Sequence, residues 1–152
     1  MLTITPFLWF DTQAEEAMNF YTSVFSRSKV ISVNRAAQGK VMSVQFELEG
    51  QEIMALNAGP QFTFTEAISF LVGCETQQEI DDLWARLTAD GGAPSRCGWL
   101  KDKFGLSWQI VPNSLSRMLN DKDAAKSKRA MNAMLQMDKL DLKRVQQAFE
   151  GE

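Results

Sequence analysis

Apolar and polar positions along this chain follow two rhythms that come twice in the same order. Ile4 to Phe10 is an apolar run closed by Asp11 and Thr12, which reads as a buried strand, with Pro6 marking an edge or a start. From Thr12 to Phe25 the period becomes helical: Ala14, Ala17, Met18, Tyr21 and Phe25 share a face, and Asp11 or Thr12 is placed to cap. Glu15 and Glu16 fall in the first turn, where the helix dipole favours acids. Ser28 to Arg35, Val41 to Leu48 and Gln51 to Asn57 then predict three strands, the last two joined by Glu49-Gly50. Asn57-Ala-Gly-Pro60 ends the unit.

The order then recurs. Ala67 to Val72 predicts a strand, and Thr76 to Ala89 a helix with Glu79 at capping-box spacing from Thr76. Ile80, Leu83, Trp84 and Leu87 form its stripe, and Gly91-Gly92 ends it. Strands follow at Gly98 to Lys101 and Leu106 to Val111, after a poorly patterned stretch from Ala93 to Cys97. Two successive strand-helix-strand-strand-strand units predict an α+β fold, with modules at about 1–60 and 61–112 forming one domain, 1–112. A ferredoxin-like α+β sandwich shares several of these elements and stays open as an alternative. Residues 113–152 read as a C-terminal helical appendage, with helices at Leu115 to Leu119, Asp123 to Met137 and Asp141 to Phe149. Its stripe of Ala130, Ala133, Met134 and Met137 is the pattern of core or interface packing.

Composition narrows the chemistry. The 152 residues contain no histidine, which removes the commonest metal ligand and the commonest general base together. The net charge is -3 and the basic residues are scattered except near the C-terminus, so no nucleic-acid groove is expected. No apolar run is long enough for a membrane span, and no signal peptide is visible at the N-terminus. Cys74 and Cys97 fit no disulfide framework and suggest reduced thiols, hence a cytoplasmic protein. Cys97 is a candidate nucleophile with Lys101 nearby in sequence, but no base accompanies it. The glycines make turns, and no phosphate-loop motif occurs.

Three stretches in order carry a family resemblance. They are Ile4-Thr-Pro-Phe-Leu-Trp-Phe-Asp11 with Ala14-Glu-Glu-Ala-Met-Asn-Phe-Tyr21, Phe46-Glu-Leu-Glu-Gly-Gln-Glu52 running into Met54-Ala-Leu-Asn57, and Cys97-Gly-Trp-Leu-Lys-Asp-Lys-Phe-Gly-Leu-Ser-Trp-Gln-Ile-Val-Pro112. The tail segment Ala133-Met-Leu-Gln-Met-Asp-Lys-Leu-Asp141 adds to them. Together they resemble the PhnB-like branch, labelled 3-demethylubiquinone-9 3-methyltransferase, of the vicinal-oxygen-chelate (glyoxalase/bleomycin-resistance/dioxygenase) superfamily. The resemblance implies two βαβββ modules whose mostly antiparallel, mixed sheets curve into a cup, helices outside, in a homodimer. In metal-dependent relatives, His or Glu side chains from the first and last strands of each module hold a divalent ion that stabilises developing negative charge.

Carried onto this chain, the implied ligand positions read Thr5, Ala55, Ala67 and Gln109. These residues cannot make a zinc or hard-cation site, so neither metal nor other cofactor is expected. Strand alternation from these anchors places Thr5, Phe7 and Trp9, Ile53 and Asn57, Ser69 and Leu71, and Ser107, Gln109 and Val111 toward the cup. Leu8, Phe10, Ile68, Phe70, Val72, Trp108 and Ile110 then pack under the helices. The candidate ligand-lining residues are Thr5, Phe7, Trp9, Asn57, Ser69, Trp99, Ser107 and Gln109, an apolar and aromatic wall with a few orienting polar groups. The same make-up also suits an ordinary satisfied interior.

The expectation is a metal-independent small-molecule-binding protein of unknown ligand, with no catalytic residue assigned. Two alternatives stay open: a superfamily lyase, dioxygenase or methyltransferase with a relocated site, and a structural or partner-binding dimer module. The methyltransferase label finds no support in the residues, since a doubly wound sheet with a glycine-rich first turn is not predicted.

Overall fold

A computed structural model describes residues 1–152, which divide into two compact units, Met1–Thr63 and Phe64–Glu152. The first unit holds β1 (Phe7–Phe10), α1 (Ala14–Val24), β2 (Ser28–Arg35), β3 (Val41–Leu48) and β4 (Gln51–Asn57). Its sheet has the order β1-β4-β3-β2, with β1 parallel to β4 and the other pairs antiparallel. Glu49 (φ 49°) and Gly50 (φ 89°) both take left-handed backbone, the requirement of the tight two-residue hairpin between β3 and β4. Under α1 lie Leu8, Phe10, Val44, Phe46, Ile53 and Ala55, and the ring of Phe46 stacks on Tyr21 with centroids 6.2 Å apart.

The second unit repeats the order with β5 (Ser69–Cys74), α2 (Gln77–Leu87), β6 (Ala93–Pro94), β7 (Trp99–Lys101) and β8 (Ser107–Pro112). Its sheet order is β5-β8-β7-β6, and β5–β8 is the parallel pair. The fold is therefore the predicted α+β arrangement of two βαβββ modules, not a single ferredoxin-like unit. Thr76 and Glu79 close a full capping box at the start of α2, as their spacing predicts. Asp102 is buried and fixes the β7–β8 turn: one carboxylate oxygen accepts the N–H groups of Phe104 and Leu106, the other the indole N–H of Trp108.

The tail forms α3 (Leu115–Leu119), α4 (Ala124–Leu135) and α5 (Leu142–Glu150) and belongs to the second unit. Leu115, Met118, Ala130, Met137, Leu140, Val145 and Phe149 make its core, with Val111 of β8 packed against them. The segment before α5 is pinned by polar contacts. Met137 and Asp138 carbonyls accept the N–H groups of Cys97 and Gly98, and the Gln77 amide bonds both Leu140 O and Leu142 N. No helix is long and apolar enough to cross a membrane.

Four local expectations change. The first strand starts at Phe7, not Ile4: Ile4 is exposed, Pro6 has no N–H for the ladder, and its carbonyl makes the last contact to Met54 N at 3.0 Å. Thr5 thus lies outside the sheet. The N-cap of α1 is Gln13, and neither Asp11 nor Thr12 caps it; the first N–H of the helix goes instead to Asn57 Oδ1 at 2.8 Å. The strand after the linker starts at Ser69, because Thr65 Oγ1 accepts Ala67 N in a local turn. Ala67 therefore lies outside β5, and Ile68, expected under a helix, is exposed.

The fourth change is the phase of β4. Leu8 is registered with Ala55 and Phe10 with Asn57, so Ile53, Ala55 and Asn57 sit on the α1 side. Met54 and Leu56 take the opposite face, alongside Phe7 and Trp9. Taking Ala55 as a ligand position shifts the expected alternation by one residue, which exchanges the faces of the strand.

Candidate functional site

Of the candidate residues, Phe7, Trp9, Ser69, Trp99, Ser107 and Gln109 lie on the face of their sheet turned away from its helix, while Thr5 and Asn57 do not. In the first sheet that face presents Phe7 and Trp9 of β1, Met54 and Leu56 of β4 and Gln45 of β3. The indole N–H of Trp9 donates to Gly59 O at 2.9 Å, and Phe62 meets the ring edge-on at 4.9 Å. Trp9 is thus an oriented apolar wall whose polar atom is already engaged. Nothing in the sequence singles out Phe62, which lies in a linker without periodicity. Asn57 leaves the candidate set, because its side chain is occupied within the fold. Its amide accepts from Ala14 N and donates to Val41 O at 3.2 Å, tying α1 to two strands.

The second sheet is richer in chemistry, and its phase is as predicted. Phe70, Val72, Trp108 and Ile110 take the α2 side with Leu100, while Ser69, Leu71, Ser107, Gln109 and Val111 share the opposite face. Register arranges this face in rows across three strands. One row is Ser69–Ser107–Lys101, the next Leu71–Gln109–Trp99, and the last is Gly73–Val111. The tail core packs on Val111 and so bounds the final row.

Two polar features stand out within these rows. Gln109 Nε2 donates to Ser69 Oγ at 2.9 Å, linking the first strand of the module to the last. Ser107 is 1% exposed and its hydroxyl has no hydrogen-bond partner, an uncommon condition for a buried polar atom. At the end of the Ser107 row, Lys101 forms an ion pair with Glu66, which precedes β5. The pair holds the Glu66 carboxyl below its ordinary range through the Lys101 hydrogen bond. Lys101 is therefore engaged with a carboxylate. The sequence brings in Lys101 only as a neighbour of Cys97 and does not single out Glu66, because a solvated ion pair and a cross-strand row look alike in sequence.

These donors do not fit a divalent metal. The face offers an amide, two hydroxyls and an ammonium, and no group of three or more acidic or thiol side chains in the chain could hold an ion. Of the four positions at which the resemblance implies ligands, only Gln109 lies on this face, since Thr5, Ala55 and Ala67 fall elsewhere. The thiol of Cys74 is buried on the α2 side, and burial, with the Glu79 charge, pushes its pKa up to about 11.

Residues 2–111 match the family model described as 3-demethylubiquinone-9 3-methyltransferase. The chain belongs to this family. Among solved structures it is similar to a PhnB protein from Bacillus cereus, with 40% identity and a TM-score of 0.67, covering 72% of this chain and 99% of that one. It is also similar in fold to the fosfomycin resistance protein of Listeria monocytogenes, at 13% identity and a TM-score of 0.59, covering 79% of this chain and 98% of the other. A glyoxalase/bleomycin resistance protein from Albidiferax ferrireducens matches at 11% identity and a TM-score of 0.51, over 72% of this chain and 97% of the other. No curated protein matches the chain. The PhnB-like family and the vicinal-oxygen-chelate fold thus agree with the two repeated modules. The family model ends at residue 111, so α3, α4 and α5 lie beyond the matched region.

Proposed function

We propose that this PhnB-like protein binds a small molecule without a metal, against the face of the second sheet that carries Ser69, Leu71, Trp99, Ser107 and Gln109. The observation that carries the reading is the Gln109–Ser69 hydrogen bond. It fixes an amide and a hydroxyl on one face, and Gln109 is the residue at which the family resemblance implies a metal ligand in metal-dependent relatives. Leu71 and Trp99 flank Gln109 in register and supply apolar wall, while Ser107 supplies a further hydroxyl. Apolar walls with a few fixed polar groups are the usual composition of a small-molecule site.

The methyltransferase description of the family does not extend to a recognisable donor site in this chain. The turn from β1 to α1 is Asp11-Thr-Gln13, and that from β5 to α2 is Glu75-Thr76; neither holds a glycine. Neither sheet is the doubly wound parallel kind that cradles a nucleotide-bearing cofactor at such a turn.

Thermal-shift screening with small aromatic and amphipathic compounds, in the presence of a chelator, tests the proposal. A stabilising compound is expected for the wild-type protein, with a smaller effect on Gln109→Ala. No shift across the panel, or a shift that requires added divalent metal, overturns it.

A further inference from the structure

We propose that the Ser69–Ser107–Lys101 row is an oxyanion subsite, so that the ligand is a small organic acid with an apolar body. The inference rests on the binding reading above and adds the charge of the ligand to it. Ser107 is the direct cross-strand partner of both Ser69 and Lys101. Across the antiparallel β7–β8 pair, Ser107 and Lys101 stand about 5 Å apart at Cβ, within reach of one shared oxygen or carboxylate.

Ser107 brings an unspent donor. Its hydroxyl is withdrawn from solvent and unpartnered, and a buried hydroxyl left in that state is costly until an acceptor meets it. Lys101 brings the charge, and its present partner, the Glu66 carboxylate, is the chemical group the subsite is inferred to take from a ligand. Both members of that pair are substantially solvent-exposed, at 44% and 61%, so the contact is a weak one and exchangeable. The neighbours of Ser107 on this face are Ser69, Lys101 and Gln109; the last two are long and flexible, so a ligand reaches the hydroxyl by moving side chains and leaves the backbone in place. The adjacent row of Leu71 and Trp99 then receives the apolar body. A carboxylate, phosphate or sulfonate head would satisfy the same donors, whereas a neutral amide of the same shape forfeits the charge-assisted bond.

The test is calorimetric titration of the full chain with phenylacetate, phenylphosphonate and the neutral isostere phenylacetamide. At least one anion is expected to bind about tenfold or more tightly than the amide, the scale of a hydrogen bond to a charged group. Lys101→Met should bring the anion-to-amide ratio near unity, and Ser107→Ala should weaken the anion more than the amide. Glu66→Gln, which frees Lys101, should tighten the anion. Phenylacetamide binding as well as the anions, with Lys101→Met leaving the ratio unchanged, overturns the oxyanion subsite and leaves the small-molecule reading standing. No binding by any of the three, with no stabilising compound in the wider panel, overturns both. Circular dichroism of each variant separates lost binding from lost folding.

Discussion

Ser69 and Gln109 lie on the first and last strands of the second module, two residues out of direct register, and their side chains close a 2.9 Å hydrogen bond across the parallel ladder. Neither carries charge, so the contact orients without attracting an ion. Gln109→Leu removes the donor while keeping most of the volume. It should lower stability by no more than about 1 kcal/mol, since the group is only half-buried. The same change should weaken a polar ligand about tenfold, and calorimetry against urea unfolding separates the two effects. Gln109→Glu should not create a metal site, because one carboxylate beside hydroxyls supplies too few ligands. Stoichiometric zinc or manganese binding by that variant would count against this description of the face.

Asn57 makes the opposite prediction. Its amide satisfies the first N–H of α1 and a β3 carbonyl, so Asn57→Ala should cost about 1–2 kcal/mol, in the range of a lost cap. Asn57→Asp retains the acceptor and should recover part of that loss. Neither change should alter which ligand is preferred. Urea denaturation checks the first claim and ligand titration the second.

The two cysteines should separate by reactivity. Cys74 is buried and its pKa is raised to about 11, so at pH 8 it is a protected thiol, while Cys97 is half-exposed. One thiol is expected to react with a disulfide reagent in the native protein and two after unfolding. The pH dependence follows from the sign of the shift. The folded state holds the Cys74 proton more tightly than the unfolded chain, whose thiol keeps the ordinary value of 9.0. That contribution is complete below pH 9 and is lost as the pH rises toward about 11. Cys74→Ser should flatten the fall in stability in that window.

Gly98 joins the tail to the sheet. It has φ 85°, its N–H donates to Asp138 O and its carbonyl accepts from Ile110 N, and a Cβ there would stand 2.8 Å from Ile110 O and 3.2 Å from Leu140 Cδ1. Gly98→Ala combines a left-handed backbone with two close contacts, so a loss of about 1–3 kcal/mol is expected. Since the next residue is Trp99, ligand binding should weaken too, and tryptophan fluorescence with chemical denaturation reads both. An unchanged midpoint would mean that the tail is not held as described.

Much of this architecture is legible in the chain. β2, β3, β4 and the first tail helix carry their own start and stop signals, such as Glu49-Gly50 and the turn residues around Leu115, and they occur where the pattern places them. The capping box of Thr76 and Glu79 is a local signal and needs no tertiary information. The faces of β5 and β8 are legible because Phe70, Val72, Trp108 and Ile110 contrast sharply with Ser69, Ser107 and Gln109. β4 lacks that contrast: Ile53-Met-Ala-Leu56 is apolar throughout, so alternation cannot choose a face and pairing with Leu8 and Phe46 decides. The cap of α1 comes from Asn57, distant in sequence, and no local rule points to it. The partnerless hydroxyl of Ser107 is likewise a property of its surroundings, which a sequence does not display.

Amide chemical-shift mapping of the labelled protein in excess chelator tests metal-free binding on the second sheet. On adding a compound that raises the melting temperature, the largest shifts should fall on Ser69, Leu71, Ser107, Gln109 and the Trp99 indole. Shifts confined to α4 and α5, or appearing only after a divalent metal replaces the chelator, would contradict it.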